Sequence, residues 1–168
     1  LTIRAAVTAT MRLNVAGNVV ISSGAPGVMN FGDRIGAASN RLTNLNVSGS
    51  VLVSNNAYVN FNTTNVGSVT GALNLAGTTT KAHISAGANG TTGGLQVGSL
   101  VSSDTGVIVA NNDYSNNTNV TTGTLTINGT SGTATYAGRL QNTSSGSTNS
   151  TFSLQKTGGV SPVAPPPS

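Results

Sequence analysis

General acid–base catalysis needs titratable groups a few ångströms apart, and this chain has few to offer. Its only acids are Asp33, Asp104 and Asp113, there is no Glu, and the one imidazole is His83. Asp104 and Asp113 could approach each other across adjacent strands, but both stand in turn-like contexts, SSDTG and NNDYS, where Asx turns account for them. His83 lies in KAHIS. Strand alternation sets it with Lys81 and Ser85 on one face, opposite Ala82 and Ile84, so a solvated strand face is expected there. No acid lies near it in sequence to orient it as a base. There is no G-x-S-x-G, no P-loop and no Gly-Gly-x-Gly-x-Asp calcium repeat. The sequence therefore predicts no catalytic, no cofactor-binding and no metal-ligating residues, and no enzyme. A carbohydrate-active β-helix enzyme is the remote alternative, because that chemistry would need clustered carboxylates.

Binding chemistry is also restricted. The net charge of +4 reflects the scarcity of acids, and the cations Arg4, Arg12, Arg34, Arg41, Lys81, Arg139 and Lys156 are dispersed along the chain. Nucleic-acid binders gather such residues on one face, often with stacking aromatics, so no nucleic-acid partner is expected. With no cysteine there is neither a disulfide framework nor a thiolate metal site. No run of 18 apolar residues is present to span a membrane. Thr-x-Thr occurs at Thr8/Thr10, Thr124/Thr126 and Thr133/Thr135, but not at one repeat spacing, which argues against an ice-binding face. Sequons such as those at Asn46, Asn62, Asn116 and Asn128 follow from the composition and leave glycosylation open.

Composition then limits the fold that could hold any site. Among 168 residues there are 21 Asn, 25 Thr, 20 Ser and 22 Gly, just over half the chain, and only 6% of residues are charged. Leu, Ile, Val and Phe number 39, enough to fold but too few for a broad globular core. Charged helix formers are scarce, while Val, Thr, Asn and Gly favour short strands and turns. An all-β protein with thin cores shared between stacked repeats is expected.

The repeats support this. LNVAGNVVISSGAPGVMNF (13–31) and LNVSGSVLVSNNAYVNF (45–61) both run from Leu-Asn-Val-small-Gly through an aliphatic strand and a turn to Asn-Phe. Their offset falls from 32 to 30 along the way, so the turn has absorbed a two-residue deletion. Weaker copies begin at Leu73 (LNLAG), Leu95 (LQVG) and Leu125 (LTING), and a second phrase recurs as VLVSNN (51–56) and VIVANN (107–112). On strands, Leu13/Val15, Leu45/Val47, Leu73/Leu75, Leu95/Val97 and Leu125/Ile127 would form an inner column. Asn14, Asn46, Asn74, Gln96 and Thr126 would then form an outer polar ladder. Gly17, Gly49, Gly77, Gly98 and Gly129 would turn the corner at positive φ. Turns are expected at Asn89-Gly90, Gly93-Gly94, Asn128-Gly129 and Gly158-Gly159, and a protruding loop over 111–122. The reading is a parallel β-solenoid of about 5–6 irregular rungs over 1–159, with a β-sandwich as alternative. A Pro-rich linker or arm follows at 160–168.

From Leu95 to Val160, the segments LQVGSLVSSDTGVIVANN, GTLTING, TATYAGRLQN and FSLQKTGG resemble the autotransporter-associated β-strand repeat. Thr135-Tyr136-Ala137-Gly138 stands at the family's aromatic-small-Gly step and Leu154-Gln155-Lys156-Thr157-Gly158 at its L-x-K-x-G step. The resemblance implies a right-handed β-solenoid in a large, secreted or surface-anchored bacterial protein. The functional expectation is a non-catalytic extracellular structural or adhesive segment. Surface glycans, host or neighbouring cell surfaces, and further copies of the chain are its expected partners. A self-assembling fibre subunit is the alternative, since open solenoid ends can template further strands.

Overall fold

The computed structural model describes residues 2–3, 12–22, 27–32, 42–63, 65–85, 92–111, 122–130, 133–143 and 151–158. Every regular element in them is a strand. In chain order these are β1 (Thr2–Ile3), β2 (Arg12–Val15), β3 (Val19–Ser22), β4 (Val28–Phe31), β5 (Asn44–Val47), β6 (Val51–Ser54), β7 (Tyr58–Asn62), β8 (Gly67–Leu75), β9 (Lys81–Ser85), β10 (Thr92–Val101), β11 (Ile108–Asn111), β12 (Thr122–Ile127), β13 (Arg139–Thr143) and β14 (Thr151–Lys156). They stack in parallel into two sheets, one ordered β1-β4-β7-β9-β11-β13 and the other β14-β12-β10-β8-β5-β2, with β3 and β6 extending the second sheet alongside β8. The chain alternates between the sheets as it climbs, so the fold is a β-solenoid.

The register explains the repeated phrases and corrects one of them. Leu13 pairs with Leu45 and Val15 with Val47, and Asn30-Phe31 pairs with Asn60-Phe61, as the aligned repeats predict. The phrase LNLAG does not join that column. Leu73 and Leu75 stack on Val51 and Val53, whereas Ser68 and Val69 of the preceding GSV take the places above Asn46 and Val47. Leu95 and Val97 stack on Gly67 and Val69, Leu125 and Ile127 on Leu95 and Val97, and Leu154 on Leu125. Strand β8 is nine residues long and spans both column sets, so a single strand supplies Gly67/Val69 to one column set and Leu73/Leu75 to the other in one period-two phase. The ten expected inner aliphatics nevertheless all face inward. Seven are fully buried, and Leu13, Val15 and Ile127 pack partly buried against the same core cluster.

The VLVSNN/VIVANN resemblance is not a structural repeat. VLV forms β6 and its Asn55-Asn56 turns with φ of 53° and 64°, while IVAN is β11 of the other sheet, stacked on β9. Gly93-Gly94 likewise lies inside β10, in register with Gly123 and Thr124, and makes no turn. The Asn89-Gly90 turn, most of the 111–122 loop and the Pro-rich segment 160–168 lie outside the described residues.

The glycine column is Gly17, Gly49, Gly71, Gly98, Gly129 and Gly158, with Gly71 in the place expected for Gly77. Only Gly17 (φ 133°) has positive φ in this column, and Gly77 (φ 111°) turns a different corner beside Asn56 and Thr80. At Gly49, Gly71, Gly98, Gly129 and Gly158 the requirement is closeness. A Cβ there would press into the backbone of the corner below, as at Gly71 against the Gly49 carbonyl oxygen at 2.9 Å. The N–H groups of Gly49, Gly71 and Gly129 donate to the carbonyls of Gly17, Gly49 and Gly98 at 3.0, 2.9 and 3.0 Å, tying each corner to the next.

Inside, Phe31 and Phe61 stack with centroids 5.6 Å apart and planes 13° from parallel. Their column continues through Ile84 to Asn111. The buried Asn111 amide donates to the Thr151 carbonyl at 2.9 Å, linking the six-stranded sheet to β14.

Candidate functional surfaces

Three places in the solenoid gather polar or accessible apolar side chains. The first is the outward ladder of the eight-stranded sheet. Pairing places Asn14, Asn46, Ser68, Gln96, Thr126 and Gln155 one above another. Ser68 takes the position expected of Asn74, which stands instead beside Leu52 and Val101. Asn46 Nδ2 donates to Asn14 Oδ1 at 2.9 Å. Six rungs at the parallel-strand spacing extend roughly 24 Å. A shallow depression of about 400 Å³ opens beside the lower rungs, lined by Asn14, Asn46, Ser48, Ser68 and Thr70. Arg12 is the one charged residue on this face among the described residues, at its edge. Amides and hydroxyls in a row can exchange hydrogen bonds with a neutral polar partner but cannot perform proton transfer at neutral pH.

The second lies on the outer face of the six-stranded sheet and overturns the expectation for His83. Ala82 and Ile84 point into the core as predicted, but the opposite face is covered too, and His83 is only 3% exposed. Asn60 Nδ2 donates to Asn30 Oδ1. That orientation makes Asn60 Oδ1 the acceptor for His83 Nδ1–H at 2.8 Å. Tyr58 lies beside the imidazole, with ring centroids 6.3 Å apart, and Lys81 Nζ sits 5.0 Å above the Tyr58 ring. Burial of a polar side chain is tolerable where its hydrogen bonds are made, so alternation alone could not tell this buried polar ladder from a solvated one. The arrangement holds rungs together and presents no acid to the imidazole among the described residues.

Asp104 also differs from its expectation. The local turn is made by Ser102, whose Oγ accepts from the Asp104 N–H at 3.0 Å. The Asp104 carboxylate reaches the preceding rung and accepts from the Gly77 N–H at 2.8 Å. Asp33 and Asp113 lie outside the described residues, as does any approach of Asp104 to Asp113. Among the described residues, no three His, Cys, Asp or Glu side chains gather closely enough to hold a metal ion, and no helix is long and apolar enough to cross a membrane.

The third place is a groove of about 620 Å³ at the C-terminal end of the stack, walled by Leu100, Ile127, Tyr136, Leu140 and Leu154 with Lys156 at its edge. It exists because the chain leaves the rung after β12. Among the described residues Leu100 ends the column Val19–Val51–Leu73–Leu100, and the TYAG step pairs Tyr136 with Ser102. The Tyr136 hydroxyl donates to the Arg139 carbonyl at 3.0 Å. Burial pushes this phenol up from 10.0 to about 12, against the opposing pull of a backbone hydrogen bond at Val109 and the Arg139 charge. The raised value means that the fold favours the neutral phenol. The stabilisation it brings is complete below the unfolded-state pKa near 10 and is lost as pH rises through about 12. Ultraviolet titration is therefore expected to resolve a tyrosine ionising near pH 12 that disappears in Tyr136→Phe. The same late step persisting in the variant would mean another group causes it.

No protein-family model, curated protein or solved structure matches the chain.

Proposed function

We propose that this chain is a non-catalytic structural and adhesive segment of an extracellular bacterial surface protein. The observation that carries the reading is the outward ladder Asn14–Asn46–Ser68–Gln96–Thr126–Gln155. It is a long, regular row of uncharged donors and acceptors on a fold that spends its aliphatic side chains on the interior. A solenoid extends by stacking and needs no catalytic group to serve as a spacer. The resemblance of 95–160 to the autotransporter-associated repeat supports the bacterial-surface setting. Neutral glycans suit the ladder because sugar hydroxyls, like amides, both donate and accept.

The test is retention of the purified chain on insoluble cellulose and chitin, together with an assay for released reducing ends. Retention is expected, weakened in an Asn14→Ala/Asn46→Ala/Gln96→Ala variant whose circular dichroism is unchanged, with no sugar released. Failure to be retained on either polysaccharide would remove the adhesive part of the reading. Release of reducing ends would replace it with the carbohydrate-active enzyme.

A further inference from the structure

The fold separates N-x-S/T triplets that composition alone leaves equivalent, and the geometry points to Asn128 as an acceptor for an N-linked sugar. Such a triplet needs an asparagine amide that a transferase can reach and a hydroxyl two residues on. Two triplets lie wholly within the described residues, Asn46-Val47-Ser48 and Asn128-Gly129-Thr130. Asn62 and Asn142 each begin another whose last residue lies outside them. Asn62 is only 3% exposed, so its amide is out of reach. Asn142 is exposed, but its Oδ1 accepts the Phe152 N–H at 3.0 Å, which ties the carboxamide to β14. Asn46 is exposed as well, yet it lies within β5, between Asn14 and Ser68 of the adjoining rungs. Its Nδ2, the atom a sugar would join, donates to Asn14 Oδ1 at 2.9 Å.

Asn128 stands one residue beyond β12, and both it and Thr130 are exposed. Its surroundings leave room for a sugar. One residue separates the inner column from the corner glycine in Val15-Ala16-Gly17, Val47-Ser48-Gly49, Val69-Thr70-Gly71 and Lys156-Thr157-Gly158, and Asn128 fills that place before Gly129. On the preceding rung the place is missing, because Val97 is followed directly by Gly98, and the register shifts there. No side chain therefore occupies the column of Asn128 on that rung. On the following rung Thr157 is exposed. The backbone is nonetheless fixed, since the Asn128 N–H donates to the Val97 carbonyl at 2.9 Å and the Gly129 N–H to the Gly98 carbonyl at 3.0 Å. The side chain thus projects from a rigid corner, as loop positions used for recognition do. The donor is a sugar carried on a lipid or nucleotide diphosphate. A bond forms between Asn128 Nδ2 and the anomeric carbon, and the bond from that carbon to the diphosphate oxygen breaks. Its electron pair leaves with the diphosphate, and the amide gives one proton to a base of the transferase. The chain acts only as acceptor, whether or not the ladder binds glycans.

The test uses the full 168-residue chain, folded and purified. It is incubated in one arm with an N-glycosyltransferase and a lipid-linked oligosaccharide, and in the other with one that uses a nucleotide sugar. Site occupancy is read by mass spectrometry of the glycopeptides, and the two arms distinguish the sources of the sugar. In at least one arm the folded chain should carry the sugar at Asn128 and not at Asn46 or Asn62. Digestion before the reaction should open Asn62, because its burial is then gone, while Asn128 accepts the sugar in both forms. Thr130→Ala, at an exposed position, should leave the circular dichroism unchanged and abolish the modification of Asn128. A folded chain that stays unmodified at Asn128 in both arms would overturn the inference. So would a folded chain modified at Asn46 or Asn62 as fully as at Asn128, since the fold would then not select the site. Undiminished occupancy in Thr130→Ala would overturn it as well, because the triplet would then play no part.

Discussion

Phe61→Ala is expected to lower the stability of the solenoid by about 3–5 kcal/mol, the range for removing a buried aromatic side chain. Phe61 is 1% exposed and lies between Phe31 on one rung and Ile84 on the next. Two features keep the resulting cavity from closing. Strands β4, β7 and β9 are held at their spacing by continuous parallel pairing, so the rungs cannot move together to fill the space. The stacked partner Phe31, 5.6 Å away, also loses its aromatic neighbour, which adds about 0.5–1.5 kcal/mol to that type of loss. Against a total stability of roughly 5–15 kcal/mol for an ordinary domain, the change is severe. Because each rung touches mainly its neighbours, the damage should fall first on the N-terminal rungs. Hydrogen exchange should report faster opening of β4 and β7 than of β11. Val20→Ala serves as the contrast, since Val20 is 66% exposed and a surface truncation should stay within about 0.5 kcal/mol. If urea denaturation followed by far-ultraviolet circular dichroism gives the two variants the same midpoint, the aromatic column does not hold this end of the stack.

The phrase that made Phe61 identifiable also marks how far the sequence could be read. Asn30-Phe31 and Asn60-Phe61 were legible as one position on successive rungs because the strands kept their length while the connecting turn lost two residues. LNLAG was misleading for a physical reason. A strand surface rewards any aliphatic–polar–aliphatic triplet, and in β8 the triplet LNL follows GSV on one continuous strand, so the segment that takes the column place is the one in which glycine replaces the leucine. The phrase alone could not say that LNL belongs over VLV. His83 was placed on the correct face, opposite Ala82 and Ile84, but its burial was not legible. Period-two alternation states which side a residue takes, and nothing about what covers that side. The local signal that could have suggested burial is the aligned Asn30, Asn60 and His83, three hydrogen-bonding side chains at one register position.

Four of the five expected corner glycines, Gly17, Gly49, Gly98 and Gly129, stand in the column, but the expected cause, positive φ, holds only for Gly17, and a mutation series separates the two causes. Gly98→Ala is expected to cost about 3 kcal/mol, the upper part of the range for overpacking. Its Cβ would press on the Thr70 carbonyl oxygen and come within 2.9 Å of the Gly71 oxygen. Those atoms are backbone. The Gly98 carbonyl itself accepts the Gly129 N–H at 3.0 Å, so relief on one side would strain the bond on the other. Gly98→Leu should cost more than Gly98→Ala, because the added volume enters the same occupied space. Gly17 is the internal control. Nothing lies within 4 Å of its absent Cβ, and its requirement for glycine comes from φ of 133°. There Ala and Leu should cost nearly the same, since both incur the backbone penalty and neither meets a neighbour. Chemical denaturation of the four variants decides the matter. Equal costs for Ala and Leu at Gly98, or an unchanged midpoint for Gly98→Ala, would mean that close approach of successive corners is not what demands glycine. A size-dependent loss at Gly98 beside a size-independent one at Gly17 would show that one column of a single residue type answers two different physical constraints, closeness within the stack and backbone conformation at its edge.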